Sequence, residues 1–359
     1  MNNDIYNYSL EELKLILNNN HIEEYRANQI FRAIHKNLLT NFDKISNIPK
    51  SLRKFLNEQF FIPKINLIDV KKSTINKTKK FLFELSQNKI PVETVLMEEK
   101  GRITICVSVQ SGCNVGCIFC ATGYFGFKKN LSTSEILLQI YEIIKMENVK
   151  PTNIVYMGMG EPFLNYNNFL KSIKILCSKE GLGINSDKIT VSTIGLKGTI
   201  KKFADDISLN ENREIRKIKL ALSLHSTDNG IREKLIPASK KNKLAEIYKE
   251  LIYFYRKTKT KITYEYIYLK NINDKTEDIK RITKLSKMIP SNINVIRYHP
   301  TKQNNILVLK SKETENDLYD FISKLRTAKV TVNLRKSNGL DINAACGQLA
   351  AENYKQNKI

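Results

Sequence analysis

Between about residues 8 and 60 the apolar positions recur three and four apart, in SLEELKLILNNN, EEYRANQIFRAIHKN and IPKSLRKFLNEQF. That period is helical, and Ser9 with Glu12 supplies a Ser-x-x-Glu capping box at the first helix start. From about Lys64 to Glu99 the period shortens to two, and KINLIDV, KKFLFEL and VETVLMEE read as strands around polar turns. From Thr104 onward strand and helix alternate. TICVSVQ precedes SEILLQIYEIIKM, NIVYMGM precedes NNFLKSIKILCSK, and KITVSTI precedes a basic helix around Gly198 to Asp206. KIKLALSLH, KITYEYIYL and NINVIRY follow, each with its own helix, before a last strand in VTVNLRK.

Six or so βα units predict an α/β fold around a parallel sheet, with functional groups at the carboxyl ends of the strands. Eight would close a TIM barrel. Six predict a partial, TIM-like (β/α)6 barrel whose open side admits a large substrate. The expected organisation is a small basic helical module over 1–62, a β-rich connector over 63–100 and a catalytic barrel over 101–359.

The formal charge of +23 on 359 residues points to a polyanionic partner such as nucleic acid, although a lysine-rich surface alone would give the same balance. Arg26, Arg32, Lys36, Lys50, Arg53 and Lys54 of the helical module are expected to track phosphates. No stretch reaches the roughly 20 apolar residues of a membrane span, and MNNDIYNYSLEE lacks a secretory signal's basic start and apolar core. A cytoplasmic protein with no membrane partner is expected. Six cysteines are too few for a disulfide scaffold, and cytosolic thiols in a tight group more often bind metal or react.

Cys113, Cys117 and Cys120 place half of those cysteines within eight residues, directly after the first barrel strand. A structural zinc closes four ligands. Cys106, Cys177 and Cys346 are single, and none of the four histidines lies nearby in sequence, so zinc is the weaker reading. A [4Fe–4S] cube held by three cysteines leaves one iron free to take a substrate or cofactor. MGMGEP closes the second strand, where Gly160 permits close backbone approach and Glu161 can pair with an ammonium group. Ser192, and the run Ser223, Leu224 and His225, end later strands on the same face. Taken singly, each of these residues reads as ordinary packing. Cys177, in an apolar helix, reads as structural.

The cysteine spacing, with Phe119 before the last thiol, resembles the radical S-adenosylmethionine (SAM) superfamily. Further motifs resemble one branch of it, the RlmN and Cfr RNA adenosine methyltransferases: VETV from Val92, CVSVQSGCNVGCIFCATG from Cys106, KKNL from Lys128, MGMGEP, REKLIP from Arg232 and DINAACGQLA from Asp341. They run in order along nearly the whole chain. The resemblance implies a radical SAM barrel with one [4Fe–4S] cluster on Cys113, Cys117 and Cys120. It implies SAM held by Gly160, Glu161, Ser192, Ser223, Leu224, His225 and His299, the last standing where most relatives carry asparagine. It also implies Cys346 as methyl carrier, Cys106 as the thiol that releases the product through a disulfide with Cys346, and Glu93 as proton acceptor.

That chemistry suits the target. Carbons C2 and C8 of adenine are electron-poor and have no lone pair to attack a sulfonium methyl, so a radical route is required. The resemblance further implies 23S rRNA and tRNA as substrates, an electron donor such as flavodoxin or ferredoxin, and a monomer. YSLEELKLIL and GEPFLNY favour the C2-methylating group, whereas the arginine in VIRYHP, Arg297, is similar to the C8-methylating, resistance-conferring group. The competing classes are a radical SAM activase acting on protein and a cationic RNA-binding protein with a structural cluster.

Overall fold

The structure is a computed structural model that describes residues 2–85, 89–300 and 314–351. Three helices open it: α1 (Leu10–Asn19), α2 (Tyr25–His35) and α3 (Lys50–Gln59). The capping box expected at Ser9 is formed, with Ser9 Oγ accepting from Glu12 N–H at 3.2 Å and Glu12 Oε2 accepting from Ser9 N–H at 2.7 Å. Leu13 and Leu17 of α1 and Ile30, Phe31 and Ile34 of α2 bury the stripe that the period marks out. Their packing runs without interruption into the barrel core.

β1 (Ile65–Lys72), β2 (Thr78–Leu85) and β3 (Ile90–Glu99) form an antiparallel meander. It pairs edge-on with β4 (Arg102–Cys106), opposing Val95 to Cys106. The connector therefore extends the barrel's own sheet rather than bridging two bodies. After β4 comes the cysteine loop and a short helix, α4 (Ala121–Phe125). α5 (Thr133–Glu147), β5 (Asn153–Tyr156), α6 (Tyr166–Cys177), β6 (Ile189–Thr193) and α7 (Thr199–Ser208) follow. Next are β7 (Lys219–Ser223), α8 (Asn229–Leu235), α9 (Leu244–Thr258), β8 (Ile262–Tyr268), α10 (Thr276–Met288), β9 (Ser291–Arg297), α11 (Glu315–Thr327) and β10 (Val332–Arg335).

The ten strands make one sheet in the order β10-β9-β8-β7-β6-β5-β4-β3-β2-β1. β4 to β10 are mutually parallel, as the alternation predicts for an open barrel. One expected strand is shorter than its pattern. TICVSVQ leaves the ladder after Cys106 because its neighbour β5 ends at Tyr156, and the turn that follows binds Val107, Val109 and Gln110 through single bonds instead. Among the described residues no helix is long and apolar enough to cross a membrane.

Candidate active site

The carboxyl ends of the parallel strands open into one cavity of about 560 Å³. Cys106 at the end of β4, the loop thiols Cys113, Cys117 and Cys120, and Cys346 all line it. Val115, Ile194, Leu235, Ile236, Ile267 and Tyr298 form a separate apolar cluster against Cys113, Cys117 and Phe119, so the loop is packed in a dry shell. Burial pushes the Cys113 thiol up to about 12 and the Cys117 thiol well above its ordinary value, each reinforced by charge on the neighbouring thiols. Arg232 and the Val115 backbone offset that only in part. A cationic iron–sulfur group would compensate the rest.

The turn after β5 is shaped by glycine. Gly160 has φ +100°, and a Cβ there would stand 2.5 Å from Gln110 Cβ. The turn aims Glu161 inward, where one carboxylate oxygen accepts from Ile194 N–H at 2.9 Å and the other from Phe163 N–H at 3.1 Å. Burial nevertheless pushes its pKa up to about 7, so a cation arriving beside it would favour the ionised carboxylate. Ser192 and Ser223, at the ends of β6 and β7, stand 3.4 Å apart through their hydroxyls.

His225 takes the left-handed conformation, φ 54°, which turns its ring into the cavity edge-on to Phe119 at 4.6 Å. Its Nδ1 accepts from Ile267 N–H at 3.1 Å, and burial, then Arg232, pushes its pKa down to about 3. The ring is neutral and carries its proton on Nε2. His299 also lines the cavity, with Nε2 2.9 Å from Ser337 Oγ and its pKa lowered by burial and by Arg297.

Two predicted site residues lie elsewhere. The Leu224 side chain is fully buried in the main core, and only its backbone serves the site, donating to Glu265 O at 3.0 Å. Glu93 does not line the cavity. It pairs with Lys80 at 3.0 Å and accepts from Ala350 and Ala351 N–H at 2.8 and 3.1 Å. It thus pins the segment that carries Cys346. The same segment is held by Ala121 N–H to Gly347 O at 2.7 Å, Thr122 Oγ1 to Leu349 O at 2.6 Å, and Asp341 on Ser73 and Thr74. Cys346 consequently faces open space while deep among protein atoms.

Of the basic residues expected to track phosphates, Arg26 donates to Gln29 and Asn47 O, Arg53 donates to Asp43 O and Lys54 pairs with Glu58, all within the helical module, while Arg32 and Lys36 reach beyond it. Arg32 pairs with Glu180 at 2.8 Å and Lys36 donates to Lys179 O at 3.2 Å, fastening the helical module to the turn after α6. All six cysteines are free, so no Cys106–Cys346 bond is formed in this state.

A family model of the radical SAM superfamily matches residues 107–283, and one of the ribosomal RNA large subunit methyltransferase N-terminal domain matches residues 3–62. A protein of Thermotoga petrophila named "Probable dual-specificity RNA methyltransferase RlmN" is 39% identical over 98% of both chains. The chain belongs to the RlmN family of radical SAM RNA methyltransferases. A Dictyoglomus turgidum protein of the same name is 40% identical over 99% of both chains. A crystal structure of a radical SAM methyltransferase from Sphaerobacter thermophilus superposes with a TM-score of 0.84 at 32% identity, covering 97% of this chain and 99% of that one.

RlmN membership brings a [4Fe–4S] cluster and SAM as cofactors. The donor set fits such a cluster: three soft sulfur ligands on one loop beside free volume. Among the described residues no group of three or more His, Cys, Asp or Glu side chains could hold a single metal ion. A cube takes each cysteine at a separate iron, so its ligands surround a volume rather than a point.

Sequence reasoning missed Glu265, Arg335 and Asn294. Arg335 Nη1 donates to Glu265 Oε2 at 3.0 Å, and Asn294 Nδ2 donates to Glu265 Oε1 at 3.0 Å, on three adjacent strands, with Glu265 and Arg335 lining the cavity. Glu265 did leave a signal. It is the one charged residue in ITYEYIY, an otherwise apolar and hydroxylic strand.

Proposed function

We propose that the chain transfers a methyl group to C2 of an adenosine in the peptidyl-transferase region of 23S rRNA, and to C2 of the adenosine 3′ of the anticodon in tRNA. What carries this reading is the enclosure of five cysteines in one cavity, three on one loop and two, Cys106 and Cys346, on separate elements. Kinship with relatives named for dual specificity favours C2 over C8. Arg297, the residue similar to the C8 group, pairs with Glu315 at 3.1 Å.

Cys113, Cys117 and Cys120 would hold the cluster. Glu161, Gly160, Ser192, Ser223, His225 and His299 would receive SAM, with Glu161 on its ammonium. When bound, the two cofactors supply a carbon radical that can activate a methyl group, with electrons from a donor such as flavodoxin or ferredoxin. The rest falls to the protein. Cys346 Sγ carries the methyl group and, with one hydrogen removed from it, bonds through carbon to C2 of the base; the adduct would then give up its C2 hydrogen as a proton and its unpaired electron to the centre that supplied the reducing electron. Cys106 thiolate then attacks Cys346 Sγ: the S–S bond forms, the S–C bond breaks, and the released carbon takes a proton to become the product methyl. Acting as proton acceptor, Glu93 would have to surrender Lys80 or its two amides; its part in this proposal is to hold Ala350 and Ala351 so that Cys346 keeps its place.

Cys346→Ala tests the reading. It is expected to keep the brown cluster absorbance and reductive SAM cleavage while yielding no methylated RNA. Unchanged methylation would overturn it.

A further inference from the structure

A cation beside the two catalytic thiols has no part in the chemistry above. Arg335 ends β10 and lines the cavity, aligned by Glu265 at 3.0 Å, which Asn294 steadies from the other side. Its Nη2 donates to the Met157 sulfur at 3.5 Å, and Met157 packs against the apolar cluster that contains Cys106. Cys106 and Cys346 line the same cavity as the guanidinium.

The two sulfurs are not equivalent. Cys346 faces open space and Cys106 is only 7% exposed. A dithiol that resets a Cys106–Cys346 disulfide therefore attacks the Cys346 sulfur, and the electron pair of the broken bond leaves on Cys106. The second thiol of the reductant then cleaves the mixed disulfide, freeing Cys346 and departing as the oxidised dithiol. Burial pushes the Cys106 thiol up to about 12, which by itself makes it a reluctant leaving group. A fixed positive charge beside it opposes that.

We propose that Arg335, aligned by Glu265 and Asn294, stabilises the thiolate that leaves from Cys106 and so sets how readily the enzyme is reset between turnovers. This rests on the reading of Cys106 and Cys346 as a transient pair.

The test uses cluster-loaded wild type, R335Q, R335K and E265Q, each first oxidised and then reduced with dithiothreitol for graded times. Acid trapping and mass spectrometry then quantify the Cys106–Cys346 peptide that remains. R335Q is expected to lose the disulfide about tenfold more slowly than wild type. R335K should stay near wild type. E265Q, which leaves the guanidinium uncompensated, should move the other way, a reversal that mere loosening of the site would not produce and that reads out even if R335Q fails to fold. A disulfide that forms normally but is unaffected by R335Q, or that shifts in the same direction in R335Q and E265Q, overturns the role of Arg335. Absence of the disulfide from oxidised wild type sinks the paired-thiol reading itself, and this inference with it.

Discussion

The carboxylate of Glu93 accepts two amide N–H bonds and the Lys80 ammonium while only 3% exposed. Glu93→Ala would strand Lys80, itself 7% exposed, and release Ala350 and Ala351. Removing one partner of a buried pair costs about 3–5 kcal/mol. A lowered urea midpoint and faster proteolytic trimming of the carboxy-terminal segment are the expected readouts. SAM cleavage should outlast RNA methylation, since the cluster loop is held by other contacts. Gly160→Ala should fail more completely, because φ +100° and a 2.5 Å approach to Gln110 leave no room for a methyl group; loss of SAM binding by calorimetry is the check. At this scale the thiols, Glu161 and His225 were legible because they sit in compact local motifs. Arg335 and Asn294 were not, because neither belongs to a local motif, and only the parallel pairing of β8, β9 and β10 brings them to Glu265.

The antiparallel meander β1–β3 supplies both Glu93 and the turn at Ser73 and Thr74 that receives Asp341. It is the frame on which the Cys346 segment rests. Asp341→Ala should therefore lower RNA methylation more than SAM cleavage, measured side by side on one preparation. Ser132 caps α5 through a reciprocal bond pair with Glu135. Ser132→Ala should cost about 1 kcal/mol in chemical denaturation without changing the cluster spectrum. Helix and strand identities were readable because each has a single dominant period. That the connector would join the barrel sheet was not, since the edge pairing of β3 with β4 depends on where the barrel strand lies. α8 was also missed: seven residues are too few to establish a period, and only Asp228 accepting from Ile231 N–H marks its start.

The helical module meets the barrel through a buried cluster in which His35 Nδ1 lies 2.8 Å from Tyr141 OH, while Asp4 accepts from Tyr6 N–H at 3.0 Å nearby. Burial lowers His35 from 6.5 to about 3, so its contribution is present above pH 6.5 and lost as pH falls toward 3. Burial raises Asp4 from 3.8 to about 6, so its contribution is full below pH 3.8 and lost as pH rises through 6. The two oppose each other between about pH 6 and 4. Asp4→Asn should therefore steepen the acid loss of thermal midpoint in that window, and an unchanged slope would contradict the assignment. The net charge of +23 predicts RNA affinity that falls steeply with salt, with little dependence on sequence away from the target base. Which base carbon receives the methyl group decides the account. Anaerobically reconstituted enzyme, with SAM and a reductant, should yield 2-methyladenosine in digests of both rRNA and tRNA analysed by nucleoside mass spectrometry. A product of 8-methyladenosine, or no methylated adenosine despite SAM cleavage, would contradict it.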